Sequence, residues 1–113
     1  MISSDVIRGY NDPMILSILI KNDSYGYEIS KQIKEISEEK YIIKETTLYS
    51  AFTRLQKKGF IESYPGQETF GKKRTYYRIL PAGLDYYLEK RAEWEITKDV
   101  VNQFIGGEID ENN

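Results

Sequence analysis

The chain of 113 residues contains no cysteine and no histidine. Disulfides, thiol nucleophiles, zinc fingers, Ser-His-Asp triads and imidazole proton shuttles are therefore excluded by inventory. Proline is scarce, with 3 residues, and the most apolar stretch, Met14 to Ile20, is too short to cross a bilayer. The opening residues Met1-Ile2-Ser3-Ser4-Asp5 lack the basic start and apolar core of a signal peptide, which makes the cytoplasm the expected location and a membrane an unexpected partner. Carboxylate pairs such as Glu38-Glu39 are the remaining acid–base groups, and they sit beside a turn with no orienting partner. No enzymatic activity, cofactor or metal is expected.

What is present is the composition of an ordinary folded domain, with 40% hydrophobic and 30% charged residues. The mass of 13.3 kDa fits one core. A formal net charge of −2 speaks against a nucleic-acid partner only as an average. Residues 1–43 hold 5 basic and 7 acidic groups, residues 44–78 hold 8 and 3, and residues 79–113 hold 3 and 8. A local field follows clustering, so the middle block is either a basic face on an acidic protein or solvated surface.

The first apolar pattern, Val6, Ile7, Tyr10, Met14, Ile15, Ile18 and Leu19, has helical spacing, and Pro13 divides it into a kinked or two-piece helix. Asn22-Asp23-Ser24 reads as a turn and N-cap for a second helix over about residues 25–37, with Tyr25, Ile29, Ile33 and Ile36 on one face. A short β-prone run, Tyr41-Ile42-Ile43, precedes Thr46, which is expected to cap a third helix with Leu48, Ala51, Phe52 and Leu55 inside and Gly59 at its exit. From Phe60 the period becomes two: Phe60 to Tyr64, a turn-rich stretch from Pro65 to Gly71, then Lys73 to Ile79, a hairpin with a basic tip. A last helix runs from Pro81 to about Ile105 and stops at Gly106-Gly107. The fold class is mainly α with a small β component. Its element order is that of a winged helix-turn-helix over residues 1–80, followed by a long helix over 81–105 and a flexible tail over 106–113.

Gly26-Tyr27-Glu28-Ile29, the run from Thr47-Leu48-Tyr49 to Gly59-Phe60-Ile61, and Gly71-Lys72-Lys73-Arg74-Thr75-Tyr76-Tyr77-Arg78 resemble the PadR family of bacterial transcriptional regulators, with Gly83 opening the last helix. The likeness spans nearly the whole chain, and the single C-terminal helix is similar to the short subfamily that includes multidrug-sensing repressors. Two positions depart from the family pattern: Ser50 stands where Pro is common, and Leu80-Pro81 replaces a Thr cap.

On the third helix, Thr47, Tyr49, Ser50, Thr53, Arg54 and Lys57 face away from the apolar side. Short hydroxyls that approach base edges, mixed with long cations that reach guanine or phosphate, suit a major groove. A solvated face would not favour a Thr-Ser-Thr series, whose members are weak helix formers. The resemblance implies that the Tyr49 hydroxyl touches phosphate; packing on the wing is the rival reading. Lys72, Lys73 and Arg74 are expected to meet phosphate or the minor groove, or else merely to solubilise a turn.

Tyr87, Trp94 and Val101 recur every seven residues on the last helix, with Leu84, Leu88 and Ile105 near the same side. This pattern predicts a homodimer that sets two reading helices about 34 Å apart on double-stranded DNA with a palindrome-like operator. Trp94 falls where multidrug-sensing relatives carry a tryptophan that stacks on flat ligands. Arg91 and Lys98 flank it, and Val6 and Tyr10 are candidate walls for such a pocket. The plain alternatives are packing for Trp94 and pairing with the helix's own carboxylates for the two cations. The resemblance thus implies a DNA-binding repressor released by a planar aromatic small molecule. A winged helix that binds protein, and a DNA-binding regulator controlled by a partner protein, are the rival functions.

Overall fold

The computed structural model describes residues 1–109; Asp110-Glu111-Asn112-Asn113, expected to belong to the flexible tail, lie outside them. The N-terminal apolar segment is in two pieces. Helix α1 (Ser4–Ile7), whose Val6 N–H donates to the Ser3 hydroxyl, passes through a 3-10 turn (Arg8–Tyr10) into α2 (Asn11–Lys21). Pro13 lies in the first turn of α2, where its missing N–H breaks no helical bond. Ile15, Leu16, Ile18 and Leu19 are all buried, so α2 is covered on more than one side.

Helices α3 (Gly26–Ile36) and α4 (Glu45–Lys57) form the helix-turn-helix. Ile29 and Ile33 of α3 meet Leu48, Ala51, Phe52 and Leu55 of α4 in one core, at the spacing of a single helical face. Gly59, with φ of 76°, ends α4: its N–H donates to the Gln56 carbonyl and the Phe60 N–H to the Leu55 carbonyl, a Schellman exit.

Three expectations are corrected. The chain contributes a third strand at β1 (Ser24–Tyr25), not at Tyr41-Ile42-Ile43. Tyr41 and Ile43 instead insert into the core from an extended, unpaired segment, held by the Tyr41 hydroxyl donating to Asn11 Oδ1 at 2.6 Å. Ser24 therefore caps nothing; the N-cap of α3 is Tyr25. The N-cap of α4 is Lys44, not Thr46, because burial of Ile43 and Leu48 fixes where the chain turns; no side chain accepts from the cap's first N–H groups.

Strands β2 (Ile61–Pro65) and β3 (Thr75–Ile79) form the antiparallel wing, Ile61 opposite Ile79 and Pro65 opposite Thr75. β1 pairs with the other edge of β3, giving the order β1-β3-β2. Tyr77 faces the core, stacked on Phe52 at 3.9 Å between ring centroids, whereas Tyr76 faces away. Lys73 and Arg74 precede β3 and lie in the tip.

Helix α5 (Pro81–Ile105) begins with Pro81 in its first turn, behind Leu80 at the N-cap position. Its start is tied to the core by Tyr86, stacked on Phe60 at 4.5 Å, and by Tyr87. The rest leaves the core, and at ~1.5 Å per residue the helix gives the molecule most of its 62 Å length.

Candidate nucleic-acid interface

Burial of Leu48, Phe52 and Leu55 turns the opposite side of α4 outward. Tyr49, Ser50, Thr53 and Lys57 are exposed there, and Thr47 is half-buried. The Thr53 hydroxyl donates to the Tyr49 carbonyl at 3.0 Å, and its oxygen remains able to accept. Tyr49 packs within the helix-turn-helix: its ring meets Phe52 edge-on at 5.4 Å, and its hydroxyl lies over Gly26, where a Cβ would stand 2.5 Å away. Glycine at the start of α3 thus makes room for the Tyr49 hydroxyl where α3 and α4 meet.

Arg54 does not join this face as expected. Its Nε donates to Asp12 Oδ2 at 2.8 Å and its Nη2 to Asp12 Oδ1, a two-pronged bond between α4 and α2. The hydrogen bond from Asp12 holds the guanidinium proton above its ordinary range. The pair ties α4 to α2 while the arginine stays partly exposed at the edge of the face.

Arg74 is also turned inward. Its Nε donates to Thr69 Oγ1 at 2.6 Å, and its guanidinium lies 5.1 Å from the Tyr25 ring centre and 5.7 Å from that of Tyr27. It braces the wing against β1 and α3. Arg78 is bound to Glu62 across the hairpin, and Lys58 lies 6.0 Å from the Tyr86 ring centre. Of the basic groups in the middle block, Lys44, Lys57, Lys72 and Lys73 are exposed and form no ion pair among the described residues. The first two lie at the ends of α4 and the last two at the wing tip, so the excess positive charge frames the exposed face of α4.

The wing is also tied to the turn between α2 and β1. The Tyr64 hydroxyl donates to Asp23 Oδ2, and that bond raises the phenol above its ordinary value. Sequence periodicity gave no sign of this contact, of Arg74 stacking on Tyr25 and Tyr27, or of Phe70, whose exposed ring stands at the wing tip 6.5 Å from Tyr27. The one available signal for Phe70 was an aromatic residue directly before Gly71 in a turn-rich stretch.

On the far side of the molecule, α1, the 3-10 turn and α2 form an open groove with α5, about 1260 Å³ in volume. It gathers Val6, Tyr10, Arg91, Trp94 and Lys98 in one place. Trp94 and Tyr10 meet edge to face at 5.2 Å, so part of the tryptophan's role is packing within its own chain. Lys98 is bound to Glu95 at 2.7 Å, which raises the lysine and lowers the carboxyl relative to their ordinary values. Tyr87, Val101 and Ile105 line the same groove, while Leu84 and Leu88 lie outside it, exposed on α5.

Three helices around a shared core, a three-stranded sheet and a basic hairpin beside an outward-facing polar helix define a winged helix-turn-helix protein. The model of the Transcriptional regulator PadR-like family matches residues 15–89, and the chain belongs to that family. It is similar in structure to a transcriptional regulator from Clostridium thermocellum, with a TM-score of 0.85 and 63% identity over 93% of this chain and 99% of that one. A PadR family transcription regulator from Clostridium difficile R20291 matches with a TM-score of 0.75 and 42% identity, over 87% of this chain and 100% of the other. An uncharacterised protein of Lysinibacillus sphaericus is 44% identical over 107 residues, 95% of this chain and 98% of that protein. Members of the family are DNA-binding regulators of transcription and not enzymes. Among the described residues no helix is long and apolar enough to cross a membrane.

Proposed function

We propose that the chain is a dimeric repressor in which residues 1–80 read a palindrome-like operator, the helix over 81–105 joins two copies, and a planar aromatic molecule near Trp94 releases the DNA. The observation that carries the reading is the exposed set Tyr49, Ser50, Thr53 and Lys57 on α4, flanked by Lys72 and Lys73 of the wing. Hydroxyl-bearing side chains there can reach base edges, and the lysines lie where phosphates would pass. Arg54 and Arg74 tie α4 and the wing to the rest of the fold. The release step draws on the groove, where apolar walls from Val6, Tyr10 and Trp94 accompany the cationic Arg91. A ligand that favours one spacing of the α5 helices shifts the dimer away from the spacing that fits successive grooves, and operator affinity falls in proportion to its preference.

The test uses a labelled duplex selected by the protein from a random-sequence pool. Flat aromatic compounds are added to the complex while Trp94 emission and duplex anisotropy are followed together. Quenching that accompanies release supports the proposal. Quenching without release, or release without quenching, separates the groove from the control of DNA, and no quenching by any planar aromatic removes the effector.

A further inference from the structure

The wing tip carries a residue that local conformation disfavours. Thr69 and Lys72 exchange both backbone hydrogen bonds, N–H to carbonyl at 2.9 and 3.1 Å, enclosing Phe70-Gly71 as a two-residue turn. Both enclosed residues have positive φ, 53° for Phe70 and 76° for Gly71, the sign pattern of a type I′ turn. Asn, Asp or Gly suits the first position of such a turn, and a bulky side chain there is strained. Burial does not account for the phenylalanine, because it remains 86% exposed with one edge-on aromatic neighbour, Tyr27. A strained, solvent-facing aromatic that neither the turn nor the core requires calls for an occupant outside the chain.

We propose that Phe70 is an apolar wedge that enters the minor groove of DNA beside the site read by α4 and favours deformable base steps there. The inference rests on the DNA-reading surface proposed above and adds a specificity element to it. Three features favour a minor groove over another protein. Lys72 and Lys73 immediately follow the turn and would lie along phosphates, whereas a protein-docking tip would not need two unpaired cations beside its anchor. The turn leans toward Tyr27 at the start of α3, the helix that crosses the DNA backbone in a helix-turn-helix. The Arg74 bond to Thr69 Oγ1 holds the turn against the rest of the wing. Phenylalanine and leucine inserted between base steps unstack them at a cost that depends on the step, lowest for flexible pyrimidine–purine steps such as TA.

The selected duplex is prepared with TA, CA or AA at the steps under the wing, and binding is measured for the wild type, Phe70→Asn and Phe70→Leu. The wild type and Phe70→Leu should prefer TA to AA by about tenfold, and Phe70→Asn should lose the preference while melting at the same or a higher temperature. With 2-aminopurine at the TA step, fluorescence should rise on binding the wild type and stay flat with Phe70→Asn. Equal affinities and equal step preference for the wild type and Phe70→Asn overturn the wedge while leaving the reading by α4 intact. A wild type that selects no duplex at all overturns that reading and the wedge with it.

Discussion

Arg54 and Asp12 close a two-pronged ion pair between α4 and α2, with Asp12 only 14% exposed at its side chain and Arg54 44%. The pair fixes α4 against α2 at the edge of the exposed face that carries Ser50 and Lys57. Arg54→Ala is therefore expected to act on stability first. In a double-mutant cycle with Asp12→Asn, urea unfolding should show a coupling of about 1 kcal/mol, given the partial exposure of the arginine. The ratio of affinities for the selected and a scrambled duplex should stay within about twofold of the wild type. A collapse of that ratio with unchanged stability would return Arg54 to the base-reading set.

Under the proposed function, the contrast with Arg54 makes the exposed lysines the expected phosphate contacts. With Lys44, Lys57, Lys72 and Lys73 exposed and unpaired among the described residues, about four phosphates per subunit are within the protein's means, a salt slope near −3.6 per half-site. Lys73→Ala should weaken binding to all duplexes alike and reduce the slope by about 0.9. Titrations at several salt concentrations read both quantities. An altered sequence preference would place Lys73 on a base edge.

The helices of this protein were legible because their signals are local. Leu48, Ala51, Phe52 and Leu55 mark one face by spacing alone, and Gly59 and Pro81 mark an end and a beginning by their backbone preferences. What could not be read depended on partners far along the chain. Ser24-Tyr25 is a strand only because β3 offers an edge some fifty residues later, and two residues have no period of their own. Tyr41-Ile42-Ile43 has the alternation of a strand, yet that edge is already occupied. Arg54 and Arg74 have the composition of a DNA-binding surface, and only the fold brings Asp12, Tyr25 and Tyr27 to them. The region is thus marked by its composition, while the partners that hold two of its cations, Arg54 and Arg74, come only with the fold.

The buried tyrosines give the fold an alkaline limit. Burial pushes the Tyr41 phenol above its usual value of 10.0 and moves Tyr77 the same way. Below pH 10 both are protonated in the folded and unfolded chains, and their contribution is fully present. Above it the unfolded chain releases protons that the folded chain retains, so stability falls as pH rises toward the folded-state values. Tyr41→Phe should flatten part of that fall in urea unfolding between pH 9 and 11. At neutral pH it should cost about 1–3 kcal/mol, because Asn11 Oδ1 is left buried without its donor. An unchanged slope above pH 10 would mean that Tyr41 is not the group being titrated.

The two faces of α5 make different demands on a dimer. Val101 and Ile105 continue the line of Tyr87 and Trp94 along the groove, whereas Ile96, Val100 and Phe104 form a second apolar row on the other side of the helix. If the seven-residue pattern marks the seam, Ile105→Asp places a carboxylate in it twice, once from each subunit, and removes about 1.5–3 kcal/mol of apolar burial per copy. Sedimentation should then show half the wild-type mass at micromolar concentration. Binding to the selected palindrome should fall far more than binding to a single half-site. Val100→Asp, on the other row, should leave the mass unchanged. The reverse outcome, with Val100→Asp monomeric and Ile105→Asp dimeric, would move the seam to the second row and leave the Trp94 groove inside a single subunit, with no role for helix spacing in releasing DNA.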